Sequence, residues 1–159
     1  MAGRFFTADE ARRMACSKLP RMMFDFVDGA AGDETLRDIN SRAIDAVRLM
    51  PRVLADVSGR DLSHTVLGME TGCPFGIAPM GMCNLVWPGA DMMLARAAAA
   101  RRFPVCVSTA SSTTLETMQE TADGNAWFQL YADRSAAFTD ELVDRAEACL
   151  LYTSDAADE

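Results

Sequence analysis

The 159-residue chain has a single histidine, His64. Only one imidazole is therefore available as a general base, metal ligand or nucleophile activator. Its five cysteines, Cys16, Cys73, Cys83, Cys106 and Cys149, are scattered and odd in number, without a Cys-x-x-Cys pair. That argues against a disulfide frame or a zinc site and for reduced thiols in a cytosolic setting. Each cysteine reads as a small buried apolar residue. No segment approaches the ~20 apolar residues of a membrane span. Positive charge is in deficit, with a formal net charge of −8, which disfavours a nucleic-acid partner. The N-terminus turns acidic at Asp9 and Glu10 before any apolar core develops, so it does not read as a signal peptide. The fingerprint Gly-x-Gly-x-x-Gly follows no expected strand, which lowers the dinucleotide-binding option.

The length suits one domain with a real core. Half of the residues are apolar and 24% charged, an ordinary globular composition. The organising stretch runs from Phe75 to Pro88. Phe75-Gly76-Ile77-Ala78 has the form of a buried strand. Pro79 stops strand pairing because it has no N–H, and Gly81 allows the backbone to approach something flat or bulky. A helix is expected from Asp91 to Arg101. In such strand–loop–helix units ligands sit beyond the carboxyl end of the strand. The loop read alone is equally an ordinary turn whose Pro and Gly serve geometry.

Upstream, Thr7-Ala8-Asp9-Glu10 has capping-box form and opens a helix to about Ser17. Pro20 suits the first position of a second helix. Asp33 and Glu34 open a third, on which Leu36, Ile39, Ala43 and Val47 share a face. Short strands are expected at Arg52–Val57 and Thr65–Leu67, with a turn at Ser58-Gly59-Arg60. Downstream, strand Val105–Ser108 precedes a helix opened by Thr113-Thr114-Leu115-Glu116, again in capping-box form. Strand Trp127–Tyr131 precedes a helix from Ser135 to Ala148. Three βα units spaced by about 25 residues imply a parallel sheet, either doubly wound or part of a (β/α)8 barrel. A complete barrel needs roughly 250 residues.

Six segments together resemble the FMN-dependent 2-hydroxy-acid oxidase and dehydrogenase family, which includes glycolate oxidase, flavin lactate dehydrogenase and mandelate dehydrogenase. They are Leu19-Pro20-Arg21-Met22, Asp28-Gly29-Ala30, Pro51-Arg52-Val53-Leu54-x-Asp56-Val57, Ile77-Ala78-Pro79 with Gly81, Ser108-Thr109-Ala110-Ser111, and Trp127-Phe128-Gln129-Leu130-Tyr131. The resemblance covers residues 10 to 148. It implies a truncated (β/α)8 TIM barrel: an N-terminal helical segment and hairpin over 1–74, then the first three βα units over 75–148. It implies FMN as cofactor and a small L-2-hydroxy acid as substrate, oxidised to the 2-oxo acid with hydride passing to the flavin. Ala78, Pro79, Met80 and Gly81 would lie along the flavin ring, and Ser108 and Gln129 would bond its polar edge. Tyr131 would point at the substrate. Without the family, Ser108 reads as a turn hydroxyl, Gln129 as a strand-end amide and Tyr131 as a core ring with a wet tip.

Three departures stand out. Phe26 occupies the place of a family tyrosine that contacts the substrate carboxylate, so one hydrogen bond worth roughly 0.5–1.5 kcal/mol is missing. Met80 stands where Thr is frequent. Ala110 replaces the bulky Trp of glycolate oxidases, which leaves room for a larger or aromatic substrate such as mandelate. The family's catalytic His, Arg and Lys belong to the later half of the barrel and have no counterpart here, so no catalytic residue is assigned. His64 reads as a surface strand residue. Three of a barrel's eight strands cannot close it, and the strand at Trp127–Tyr131 is expected to expose an unpaired edge. The chain alone is expected to be poorly soluble or partly unfolded, to bind FMN weakly and to be inactive. The segment 149–159 looks like translated sequencing-adapter read-through and not native sequence. The alternative there is a short strand, Leu150–Thr153, with an acidic tail.

Rival readings are another FMN barrel, such as a type 2 isopentenyl diphosphate isomerase or an inosine monophosphate dehydrogenase relative, and a non-catalytic flavin-binding or interaction module complete as written. The electron acceptor is not legible. Family members are often tetramers, which allows a homotetrameric parent, and membrane association of a longer form stays open.

Overall fold

The computed structural model describes residues 5–149 and, for the backbone, 152–154. These divide into two compact units, with the boundary at Gly59 and Arg60.

The first unit holds three helices, α1 (Ala8–Lys18), α2 (Arg21–Asp28) and α3 (Thr35–Asp45). Half of the capping box forms, with the Glu10 amide donating to Thr7 Oγ1 at 3.2 Å, while Glu10 Oε2 accepts from the Phe6 amide, one residue before the cap, at 2.8 Å. One donor that a helix start leaves unpaired, the Glu10 amide, is thereby satisfied. Arg12 forks onto Asp28 and ties α1 to α2. None of the three helices buries a residue, and the face of Leu36, Ile39 and Val47 stays exposed. The expected strand at Arg52–Val57 does not form. That stretch turns at Val53 and Leu54, with Leu54 in the left-handed region at φ 60°, which is incompatible with an extended ladder.

The second unit opens with a hairpin of β1 (His64–Val66) and β2 (Met69–Thr71). The hairpin thus pairs residue 65 with a downstream strand and not with 52–57. Its two-residue connection puts Leu67 and Gly68 at positive φ, the backbone that suits the twist of a tight hairpin. His64 is exposed on β1.

A parallel sheet follows. β3 (Val105–Ser108) pairs with β4 (Ala126–Gln129), and β4 pairs with β5 (Tyr152–Ser154). On the other side of β3, Ile77 forms a single parallel bridge to Val105. The expected strand Phe75–Ala78 shrinks to this contact: Ile77 donates to Pro104 O at 2.8 Å and accepts from Cys106 N at 2.9 Å. Pro74 and Pro79 bracket it without donors, so the ladder cannot extend. The pairing of β5 corrects the expectation of an open edge at β4. Residues 150, 151 and 155–159 of the expected tail lie outside the described residues.

Helices α4 (Cys83–Val86), α5 (Ala90–Arg101), α6 (Leu115–Thr121) and α7 (Ala136–Ala148) connect these elements. The short α4 was not expected from the sequence. Alternation along the strands sends Val105, Val107, Ala126 and Phe128 into one core with Ala95, Ala98, Leu115, Met118, Ala122 and Ala146. The register pairs Cys106 with Trp127 and Ser108 with Gln129, so these four take the opposite face. The cap of α6 is shifted by one residue from expectation. Thr114 accepts from Thr117 N at 3.3 Å, and Glu116 instead pairs with Arg145 of α7 at 2.9 Å. Among the described residues the sheet is an open α/β segment and not a closed barrel.

Candidate functional site

The sheet face turned away from the helices carries polar side chains at its carboxyl end. Ser108 and Gln129 are the last residues of β3 and β4 and are 5% and 6% exposed. Ser108 Oγ donates to Gln129 Oε1 at 3.1 Å and accepts from the Ala110 amide at 3.1 Å. The Gln129 carbonyl end is thereby satisfied. Its Nε2 is buried without a partner among the described residues. An unpaired amide donor in that setting costs about 1–3 kcal/mol unless a bound group accepts from it.

Gly81 lies against this pair. A Cβ at Gly81 would stand 2.9 Å from Ala110 Cβ and 3.8 Å from Ser108 Oγ. Only glycine permits that approach of the loop to the β3 end. The Met82 amide donates to Ala110 O at 3.1 Å and fixes the two loops in register. Ala78 and Pro79 line a cavity of about 280 Å³ with Gly76, Ile77, Cys106 and Trp127. Trp127 Nε1 is a second buried donor without a partner among the described residues. Met80 and Tyr131 are half exposed.

The structure therefore brings Gly81, Ser108, Ala110 and Gln129 together, with Ala78 and Pro79 beside the same sheet face. Tyr131 is joined to them through Thr109, a residue that sequence reasoning passed over. Thr109 Oγ1 donates to Gln129 O at 2.7 Å and accepts from the Tyr131 amide at 2.9 Å. Phe26 belongs to the first unit, on α2, with an exposed ring.

Sequence reasoning also passed over a polar cluster beneath the loops. Asp91, at the start of α5, is 4% exposed. Its Oδ2 accepts from Ser111 Oγ at 2.9 Å and from Thr113 Oγ1 at 3.0 Å. Asn84 accepts from the Asp91 amide and donates to Thr113 Oγ1, both at 3.1 Å. Burial, reinforced by Asp91, raises the Cys83 thiol pKa above its ordinary value, so Cys83 stays a protonated donor to Met80 O. The hydroxyl run Ser111-Ser112-Thr113-Thr114 was the available signal.

Among the described residues no cluster of His, Cys, Asp and Glu is placed to hold a metal, and the five cysteines are unbridged. No helix among them is long and apolar enough to cross a membrane.

The model of the FMN-dependent dehydrogenase family matches residues 15–157. The chain belongs to the FMN-dependent dehydrogenase family. It is 37% identical to (S)-mandelate dehydrogenase of Pseudomonas putida over 82% of its own length and 33% of that protein's. It is 34% identical to L-lactate dehydrogenase of Pseudomonas syringae pv. syringae (strain B728a) over 94% of its length and 40% of that protein's. A crystal structure of a soluble mutant of the membrane-associated (S)-mandelate dehydrogenase from Pseudomonas putida superposes with a TM-score of 0.84. That pair is 34% identical, over 92% of this chain and 42% of the other. The chain thus spans a third to two fifths of the curated relatives' length.

FMN is the cofactor of the family. The residues present fit it: a buried donor seeking an acceptor at Gln129, a glycine approach at Gly81 that a side chain would fill, and a hydroxyl between them.

Proposed function

We propose that this chain is the flavin-facing part of an enzyme that oxidises an L-2-hydroxy acid, lactate- or mandelate-like, to the 2-oxo acid. Its second unit is read as the opening βα units of a (β/α)8 barrel. The observation that carries this is the orphaned Gln129 Nε2 beside the Gly81–Ala110 approach, at the carboxyl end of parallel strands. That end is where barrel active sites form.

When bound, FMN supplies the two-electron acceptor for the oxidation. Gln129 Nε2 would donate to a polar atom of the flavin, with its Oε1 end held by Ser108. The backbone of Ala78, Pro79, Met80 and Gly81 would hold the ring. Tyr131 offers its hydroxyl to the substrate. Ala110 would leave space for a substituent on the substrate's second carbon. The proton of the substrate alcohol has no acceptor among these residues, since the one imidazole lies on the exposed β1 strand. The base and the carboxylate-binding cation belong to a part of the enzyme that these 159 residues do not supply. A cytoplasmic setting fits the unbridged cysteines, and the membrane-associated mandelate relative allows membrane association of a full-length form.

Titration of the 159-residue chain with FMN, followed by flavin fluorescence, tests the reading. Weak but saturable quenching is expected, and Gln129→Leu should weaken it about tenfold, the loss of one buried hydrogen bond. Quenching that is absent, or identical in Gln129→Leu, would refute it. Turnover of L-lactate or mandelate by the chain alone would overturn the placement of the base elsewhere.

A further inference from the structure

We propose that Asp91 is a positioning residue: its buried carboxylate locks together the two loops that form the flavin cradle. The inference rests on the flavin reading above for its functional consequence, but not for the lock itself.

Three segments meet at Asp91. The first is the loop and short helix that follow Gly81, represented by Asn84, which accepts from the Asp91 amide. The second is the start of α5, which carries Asp91. The third is the connection from β3 to α6, represented by Ser111 and Thr113, whose hydroxyls both donate to Asp91 Oδ2. Asn84 Nδ2 closes the ring by donating to Thr113 Oγ1. The Ser111 amide donates to Ser108 O at 2.9 Å. Asp91 therefore connects within one shell to the residue that orients Gln129. On the other side, Asn84 accepts from the Asp91 amide, and its neighbour Cys83 donates to Met80 O.

A buried carboxylate is retained only when hydrogen bonds compensate its desolvation. Here the carboxylate is compensated by Ser111 and Thr113 of the β3–α6 connection and by the Cys83 thiol of the segment after Gly81, and not by the apolar core. Asp91 is thus placed where it gives up most if the loops part. Near the cradle, a backbone hydrogen bond joins the two loops from Met82 N to Ala110 O, and one such bond is weak on its own. The Gly81–Ala110 approach of 2.9 Å, measured from a Cβ that glycine lacks, needs a firmer clamp, and the Asp91 ring supplies it.

Hydrogen exchange on the unliganded 159-residue chain tests the lock without reference to flavin. Asp91→Ala should speed exchange of the Met82 and Ala110 amides about tenfold or more, as local opening becomes easier. The Cys106 amide, held within the sheet, should not change. Asp91→Asn keeps an acceptor of the same shape and should largely rescue the two amides. Ala98→Gly, on the same helix about two turns away, controls for general loosening and should spare the contrast between the loops and the sheet. Unchanged Met82 and Ala110 in Asp91→Ala would overturn the proposal, as would the same pattern in Ala98→Gly. A flavin titration of the same variants separates the two readings. Loosened loops with FMN affinity lowered about tenfold support both. Loosened loops in a chain that binds no FMN even when unsubstituted support the lock and sink the flavin reading. Loosened loops with undiminished FMN affinity would overturn the positioning role.

Discussion

The two units of this chain meet the same problem in different ways. Each carries amphipathic helices, yet α1, α2 and α3 bury nothing, whereas α5, α6 and α7 bury Ala95, Ala98, Leu115, Met118 and Ala146. The difference is the sheet. Parallel strands with Val105, Val107, Ala126 and Phe128 on one face give the later helices a flat apolar surface to cover. The first unit has no strand among its described residues. Its helices rely on local devices: half of a capping box, a forked Arg12–Asp28 pair and the cation of Arg12 over the Phe24 ring at 5.6 Å. Such devices specify helix ends but contribute little net stability. The open apolar face of Leu36, Ile39 and Val47 is what remains when a helix lacks a sheet.

That contrast is sharpest in core truncations. Phe128, 1% exposed at the centre of the sheet, should lose about 3–5 kcal/mol on substitution by Ala. Ile39→Ala, on the exposed face of α3, should stay within about 0.5 kcal/mol. Urea unfolding of both variants measures this, and comparable losses would break the contrast. Next in size is Gly81→Val. Its side chain meets Ala110 within the cradle, and the overpacking should cost about 1–3 kcal/mol, with loss of the Met82–Ala110 bond visible by amide exchange. In the first unit, Thr7→Ala removes the α1 cap and should cost about 1 kcal/mol of helix stability, read as reduced helical circular dichroism without effect on the sheet.

Much of the second unit was legible because strand and helix periods differ. The run Val105–Ser108 was read with the bounds it has, and the helix ending at Arg101 was read to within a residue at its start. Local readings failed where two choices were chemically equivalent. Thr113 and Thr114 both make good caps, and the ion pair of Glu116 with Arg145 accompanies the second. The segment Arg52–Val57 looked like a strand because it is apolar, but a strand also needs a partner, and composition cannot provide one. Gln129 and Ser108 were singled out through the family resemblance, and the structure adds the orphaned amide that gives Gln129 a physical reason to bind. Asp91 was invisible in the sequence. Its partners Ser111 and Thr113 lie 20 and 22 residues away, and nothing local marks it as more than the first acid of a helix.

The smallest expected effect links the units through pH. Glu116 is held below the ordinary glutamate range, first by its own backbone amide and then by Arg145. Asp28 is held below its range by the Arg12 hydrogen bond. A carboxylate with a depressed folded-state pKa stabilises above its unfolded value, and that stabilisation disappears as pH falls through the folded value. Both pairs therefore contribute at neutral pH and fade in acid. All four side chains reach solvent, so screening keeps each contribution small. Glu116→Gln should lower the melting temperature slightly at neutral pH, and the gap from the unsubstituted chain should close as the solution is acidified below the ordinary carboxylate range. Asp28→Asn should show the same closing gap, confined to the helices of the first unit. A gap that widened in acid would mean that the carboxylates are destabilised by folding. The Arg145 and Arg12 forks would then be incidental to where the helices pack.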